Sequence, residues 1–391
     1  MPLGACNQKP GRYKPMSNNK AGQNEPNQHD RTGRGKPFEH DPLWRAALPD
    51  DYDEMWLYRR FLEELKERIP DPSSRITGSS EAGEPIFGFA AGSGPVVVSL
   101  VAGAHADEPV GPNTLYRLVL EMLDQPGQFG ELLERFRFLI IPHVNPDGDA
   151  ANASWIDRWP ELTPFLTGMK RELPGRDIEF GYPGMRSENR AAVRFWEREG
   201  PVHLHFSLHG MQFSEGYLLL INDEWEGRSG AWRGGFDRAM RAEGLPSHDH
   251  DRGGEKGFRY MGPGFTSTPK GTAMREYFLQ KDDEQTASLF HQSSMEYHLE
   301  LNPDALCMVT EFPLFLVQNS PQNGTPENYL ALKREWAELK ELGREPDPEH
   351  VKRLAARFSI RPIPLGKAMR LQRRTIRKAM ELVQETLKKS G

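Results

Sequence analysis

The stretch Val101–Gly111, VAGAHADEPVG, breaks from small and apolar residues into a histidine, an aspartate and a glutamate, then a proline. His105 and Glu108 offer an imidazole and a carboxylate three residues apart, a pairing that suits zinc. Taken alone the pair is weak, because a chain with 12 histidines and abundant glutamate yields an H-x-x-E about once by chance. Its position adds weight. It follows Val96–Val101, a β-branched run expected for a strand buried on both faces, and open α/β sheets keep their ligand crevice just past the strand ends. Two donors do not complete a zinc site, and a third is required. Val202–His209, VHLHFSLH, offers one. Strand alternation sets Val202, Leu204, Phe206 and Leu208 on one face and His203, His205, Ser207 and His209 on the other. His209 stands at the expected strand end, just before Gly210, whereas His203 and His205 lie deeper and read as structural. In Cys307–Phe315, CMVTEFPLF, Glu311 interrupts an apolar strand, where desolvation opposes its charge. Such a glutamate is either a carboxylate satisfied by an arginine or by backbone donors, or a general base of raised pKa beside a metal and its water. The three other positions favour the second reading.

These residues need strands to hold them, and the surrounding sequence supplies the pattern. Phe136–Ile141 reads as a second buried strand ending in the tight loop PHVNPDG, Val202–Leu208 as a third and Met308–Phe315 as a fourth. Asn113–Leu123 reads as a helix, and Asp51–Arg68 as an amphipathic one, with Met55, Trp56, Tyr58, Phe61, Leu62 and Leu65 at helical spacing and Pro70 and Pro72 stopping it. The glycines of SSEAGEP and AAGSGP suit strand connections. Strands alternating with helices predict an α/β sheet covered on both faces. The apolar stripe Leu365, Met369, Ile376, Met380, Val383 and Leu387 predicts a C-terminal helix whose Arg- and Lys-rich side faces solvent.

Composition narrows the classes. The 391 residues carry a formal net charge of −6, which argues against a general nucleic-acid binder. The two cysteines, Cys6 and Cys307, fall in a polar tail and an apolar run, a poor setting for a structural disulfide. No apolar leader and no uncharged apolar run of about 18 residues occurs, so the expectation is a cytoplasmic protein with no membrane partner. Residues 1–45, rich in Gly, Pro, Asn, Lys and Arg, read as a loosely ordered tail, leaving 46–391 as the folded part.

Taken in order, HADE, PHVNPDG, SLHG and TEF resemble the zinc carboxypeptidases of the carboxypeptidase A type. SSEAGEPIFGF resembles that family's opening strands, and SENRAAVRFW its helix after the substrate-binding loop. The resemblance spans roughly Asp51 to Phe315. It implies a single catalytic domain built on a mixed, mostly parallel twisted sheet. It also implies one zinc ion on His105, Glu108 and His209, with Glu311 as the base that activates water held at the metal. Asp107 is an intervening residue. The implied activity is hydrolysis of a peptide or amide bond, with release of a C-terminal amino acid from a peptide.

Two features depart from the family. Its Asn-Arg pair for the substrate carboxylate would fall in Gly175–Gly181, GRDIEFG, where Glu179 and Phe180 stand instead. A carboxylate facing Glu179 would be repelled, which leaves Arg186 or Arg190 as replacement clamps. The arginine that stabilises the oxyanion corresponds approximately to Arg158, near Trp155. In KGTAMREYF, Tyr277 resembles the family's substrate-covering tyrosine. The missing pair brings forward an amidase or deacylase of the same fold, acting on a small acylated or modified amino acid. A non-catalytic zinc-binding relative is a further reading, disfavoured because all four site positions are present.

Overall fold

The computed structural model describes residues 41–43, 48–341 and 347–390. The tail assigned to residues 1–45 lies almost wholly outside them. A small hairpin, β1 (Ile76–Ser79) with β2 (Pro85–Phe87), precedes the main sheet. That sheet contains β3 (Phe89–Ala91), β4 (Val96–Ala102), β5 (Phe136–Ile141), β6 (Leu204–Ser214), β7 (Leu218–Ile221), β8 (Tyr260–Gly262), β9 (Phe265–Ser267), β10 (Leu306–Leu316) and β11 (Arg361–Pro362). Its order is β3-β5-β4-β6-β10-β7-β9-β8, with β11 beside β10. The four central strands β5, β4, β6 and β10 are mutually parallel; β3 joins antiparallel to β5, β7 and β11 join antiparallel to β10, β9 runs parallel to β7 and β8 antiparallel to β9. The fold is thus a mixed, mostly parallel α/β sheet in one domain.

Both faces of the central strands are buried, as their β-branched and aromatic runs require. Val98, Leu100, Ala102, Phe206 and Leu208 face one core with the helices Tyr58–Arg68, Val110–Asp124 and Leu365–Ser390. Val101, Leu139 and Ile141 face another, under the helix Ser187–Glu199. Gly111 lets the helix Val110–Asp124 press against β6, since a Cβ there would stand 2.5 Å from the Leu208 carbonyl oxygen.

Three expectations are corrected. The first helix begins at Tyr58, not Asp51. The preceding backbone is drawn into tertiary bonds: Trp56 N–H donates to the Asn113 side chain at 2.8 Å and Tyr58 N–H to Asp149 at 2.9 Å. Second, β6 runs five residues beyond His209, because β10 continues alongside it to the Leu316–Ser214 pair. Third, the arginines of the C-terminal helix are not a solvated face, although Lys388 and Lys389 at its end are exposed. Arg373, 2% exposed, forms a two-point ion pair with Glu121 at 2.8 Å, Arg370 pairs with Asp50 and Glu243, and Arg377 with Asp41. These arginines anchor the helix to the body.

Candidate metal centre and active site

The site forms where β4 stops and β6 does not. The last pair between them is Ala102–Leu208, so His209 is the first β6 residue with no strand on that side. Gly103, at φ 79°, turns the chain out of β4, and a Cβ there would lie 2.4 Å from the His143 ring. The chain then closes a turn, with Glu108 N–H bonded to the His105 carbonyl at 3.2 Å, before the helix starts at Val110. The HADE stretch therefore serves as both turn and approach to the helix. Glu108 fills the gap left by β4: its Oε2 accepts the Gly210 N–H at 3.1 Å, a donor that a longer β4 would have used.

This arrangement drives three lone-pair-bearing atoms together. His209 Nδ1 lies 2.9 Å from Glu108 Oε2 and 3.1 Å from His105 Nδ1, and His105 Nδ1 lies 3.2 Å from Glu108 Oε1. Candidate ligand atoms of all three residues fall within 4.8 Å of one another. Two imidazoles and a carboxylate form a donor set suited to zinc, with room for further ligands. The far side of His209 fits as well. Its Nε2 meets Glu179 Oε2 and Ser207 Oγ, each at 2.9 Å. A carboxylate there accepts a hydrogen bond from Nε2–H, keeps the proton on that nitrogen and leaves the Nδ1 lone pair for a cation. Burial opposes charge on His209, but Glu179 and Glu108 outweigh it and hold the imidazole well above its ordinary pKa. Burial likewise opposes Glu108, yet Arg171 and His105 keep its carboxyl well below the usual range.

Glu311 is paired by register with His209 on the adjacent parallel strand and with Leu218 of β7 on the other side. Burial, reinforced by the charge of Glu108, pushes its pKa to about 8. It opens on a cavity of about 490 Å³ whose walls also include His105, Glu108, Arg171, Phe180 and Phe290.

The remaining anticipated residues are scattered. Glu179 is 6% exposed and bonded to His209 and Ser207, so it addresses the histidine, not the open cavity. Arg158 sits in solvent, paired with Glu161 at 2.7 Å, away from the cavity wall. Arg186 is 6% exposed and is engaged by Glu188, Glu172 and Glu81, while Arg190 donates to the Gly184 and Met185 carbonyls. Neither lines the cavity. Tyr277 packs against the ammonium groups of Lys256 and Lys281, at 4.6 and 4.3 Å, whereas Met274 and Phe278 of the same helix reach the cavity. The deeper histidines of β6 have local partners: His203 accepts the Val97 N–H, and His205 lies between Ser99 and Ser294 at 3.0 Å from each.

Sequence reasoning missed Arg171. Its Nε donates to Asp107 at 2.9 and 3.2 Å, and its Nη2 pairs with Glu108. Asp107, fully buried and also held by Gln212 at 2.8 Å, aims this guanidinium along the cavity wall. The signal available was MKRELPGRD, an arginine shortly before the loop that supplies Glu179. The long excursion after Trp155 hid it.

The zinc carboxypeptidase family model matches residues 58–172. Carboxypeptidase B of Astacus astacus is 26% identical over 137 residues, or 33% of this chain, and the chain spans 44% of that relative's length. Among solved structures, the metallo-carboxypeptidase of Pseudomonas aeruginosa in complex with (2-guanidinoethylmercapto)succinic acid is similar with a TM-score of 0.48 and 16% identity, over 85% of this chain and 70% of that one. The metallo-carboxypeptidase of Burkholderia cenocepacia is similar with a TM-score of 0.47 and 14% identity, over the same shares. The stretch that matches the zinc carboxypeptidase family model, residues 58–172, includes His105, Glu108 and Arg171, while His209 and Glu311 lie beyond it.

Proposed function

We propose that the protein is a zinc-dependent hydrolase of peptide or amide bonds, with one zinc on His105, Glu108 and His209 and with Glu311 as general base. The observation that carries this reading is the convergence of three ligand atoms within 4.8 Å, beside a glutamate of raised pKa on the neighbouring strand. Zinc held there would supply Lewis acidity to a scissile carbonyl and to a water. Glu311 takes a proton from the attacking water and passes it to the departing amine, a role that suits a pKa near neutrality. Arg171, aimed by Asp107, replaces Arg158 as the group that stabilises charge developing on the carbonyl oxygen. Glu179 holds the proton on His209 Nε2 and so fixes the imidazole that faces the metal.

Release of a C-terminal amino acid is the leading mode. An amidase or deacylase is the second, favoured by one observation: Arg186 is held by carboxylates and Glu179 by His209, so neither offers a clamp to a substrate carboxylate. Glu311→Gln is expected to retain zinc while turnover falls by about 10²–10⁴-fold; full activity in that variant contradicts the reading. Matched peptides with free and amidated C-termini separate the modes. Cleavage confined to free termini supports a carboxypeptidase, and comparable cleavage of both supports the amidase.

A further inference from the structure

The cavity has a second charged wall that the proposed chemistry does not use. Arg252 and Lys256 reach it from the segment before β8, and Lys333 from the helix Glu327–Glu341. Arg171, by contrast, is neutralised by Asp107 and Glu108. None of the three makes an ion pair with a carboxylate among the described residues. Their partners are aromatic: the Arg252 guanidinium stands 4.1 Å from the Phe258 ring centre, and the Lys256 and Lys333 ammonium groups 4.6 Å from Tyr277 and 5.8 Å from Tyr329. Such contacts orient a cation without pairing it to an anion.

Arg252 and Lys256 are half-buried and Lys333 is exposed, so the group spans the cavity from wall to rim. The three sense one another. Burial lowers the Lys256 pKa, and Lys333 and Arg252 add to that effect while nearby Glu255 opposes it. His250 is pushed down to about 4, by burial first and then by Arg252 and Lys333, and so adds no charge at neutral pH. In a chain with 56 acidic and 50 basic residues, three cations on one cavity wall, none ion-paired with a carboxylate among the described residues, call for an anion. Their number exceeds the single charge of one carboxylate.

We propose that Arg252, Lys256 and Lys333 form an anion subsite that receives two carboxylates of one substrate residue, making the preferred substrate a peptide or acyl derivative that ends in aspartate or glutamate. The proposal rests on the hydrolase reading for its chemistry but not for its binding. Phe258 and Tyr329 would cover the methylene stem of such a residue, while the guanidinium offers a fork to one carboxylate and the two ammonium groups point charges to the other.

The test reads binding. Benzoyl-Gly-Glu, benzoyl-Gly-Gln and the α-amide of benzoyl-Gly-Glu are titrated calorimetrically into the Glu311→Gln protein as purified, at low and high salt. The glutamate dipeptide is expected to bind at least tenfold more tightly than either partner at low salt, with the advantage shrinking at high salt. Arg252→Ala and the charge reversal Lys333→Glu, both added to that protein, should each cut the advantage at least threefold. Lys333 is exposed, so its replacement leaves the fold intact. Equal binding of the glutamate and glutamine dipeptides overturns the proposal, as does an advantage that survives both substitutions. Turnover of the same peptides by the wild-type protein, followed by mass spectrometry, is scored separately. Absence of turnover with the binding preference intact defeats the hydrolase reading alone.

Discussion

Glu311 sits where its charge is penalised. It is enclosed between β6 and β7, and Glu108 lies close enough to raise its pKa further, to about 8 from the ordinary 4.5. The unfolded chain releases this proton near 4.5 and the folded metal-free chain near 8. Between those values the folded state holds the extra proton, so the group's contribution to stability falls as pH rises, by at most about 1.4 kcal/mol per pH unit. Water in the cavity reduces that slope, because one side of the carboxyl is open. Metal-free Glu311→Gln protein is therefore expected to gain stability relative to metal-free wild type as pH rises from 5 to 8 in urea unfolding. A difference that does not change with pH contradicts the environment described for Glu311. The same residue illustrates what a sequence reveals: a lone glutamate inside an apolar strand is conspicuous, and so are a histidine and a glutamate just past a β-branched run. His105, Glu108, His209 and Glu311 were legible for this reason.

At the scale of elements, the site depends on strands of unequal length. β4 ends beside Leu208, and the open edge of β6 then holds Glu108 through Gly210 and presents His209. In the sequence Gly210 marks a strand stop just past Leu208, whereas pairing with β10 carries β6 on to Ser214. Arg171 and Glu179 were harder to read, since the path from Trp155 to Ser187 is irregular for most of its length and has no periodicity to constrain where its side chains go. Glu179, expected at the substrate, instead meets His209 Nε2 and Ser207. A change at Glu179 should therefore act through the metal. Glu179→Gln is expected to weaken zinc binding by about 10–100-fold, measured by competition with a chromophoric chelator. Unchanged zinc affinity, with altered KM only, would return Glu179 to the substrate side.

At the scale of the whole molecule, the long C-terminal helix joins the site to the rest of the body. Gln372 on that helix donates to Thr310 Oγ1 at 3.0 Å and accepts from Thr114 at 2.6 Å, which ties β10 to the helix that follows HADE. Arg373 locks the same helix to Glu121. Its apolar stripe was readable from spacing; the burial of its arginines was not, because Asp41, Asp50, Glu121 and Glu243, which hold them, lie more than a hundred residues away in sequence. The hydrolysis proposed for the chain requires a metal on the three residues gathered where β4 ends. The most direct test is the zinc content of purified protein by elemental analysis, wild type against His209→Ala, with folding checked by circular dichroism. The account predicts about one zinc per chain in the wild type and almost none in the folded variant. Folded wild type without zinc, or a His209→Ala protein that keeps it, would contradict the site.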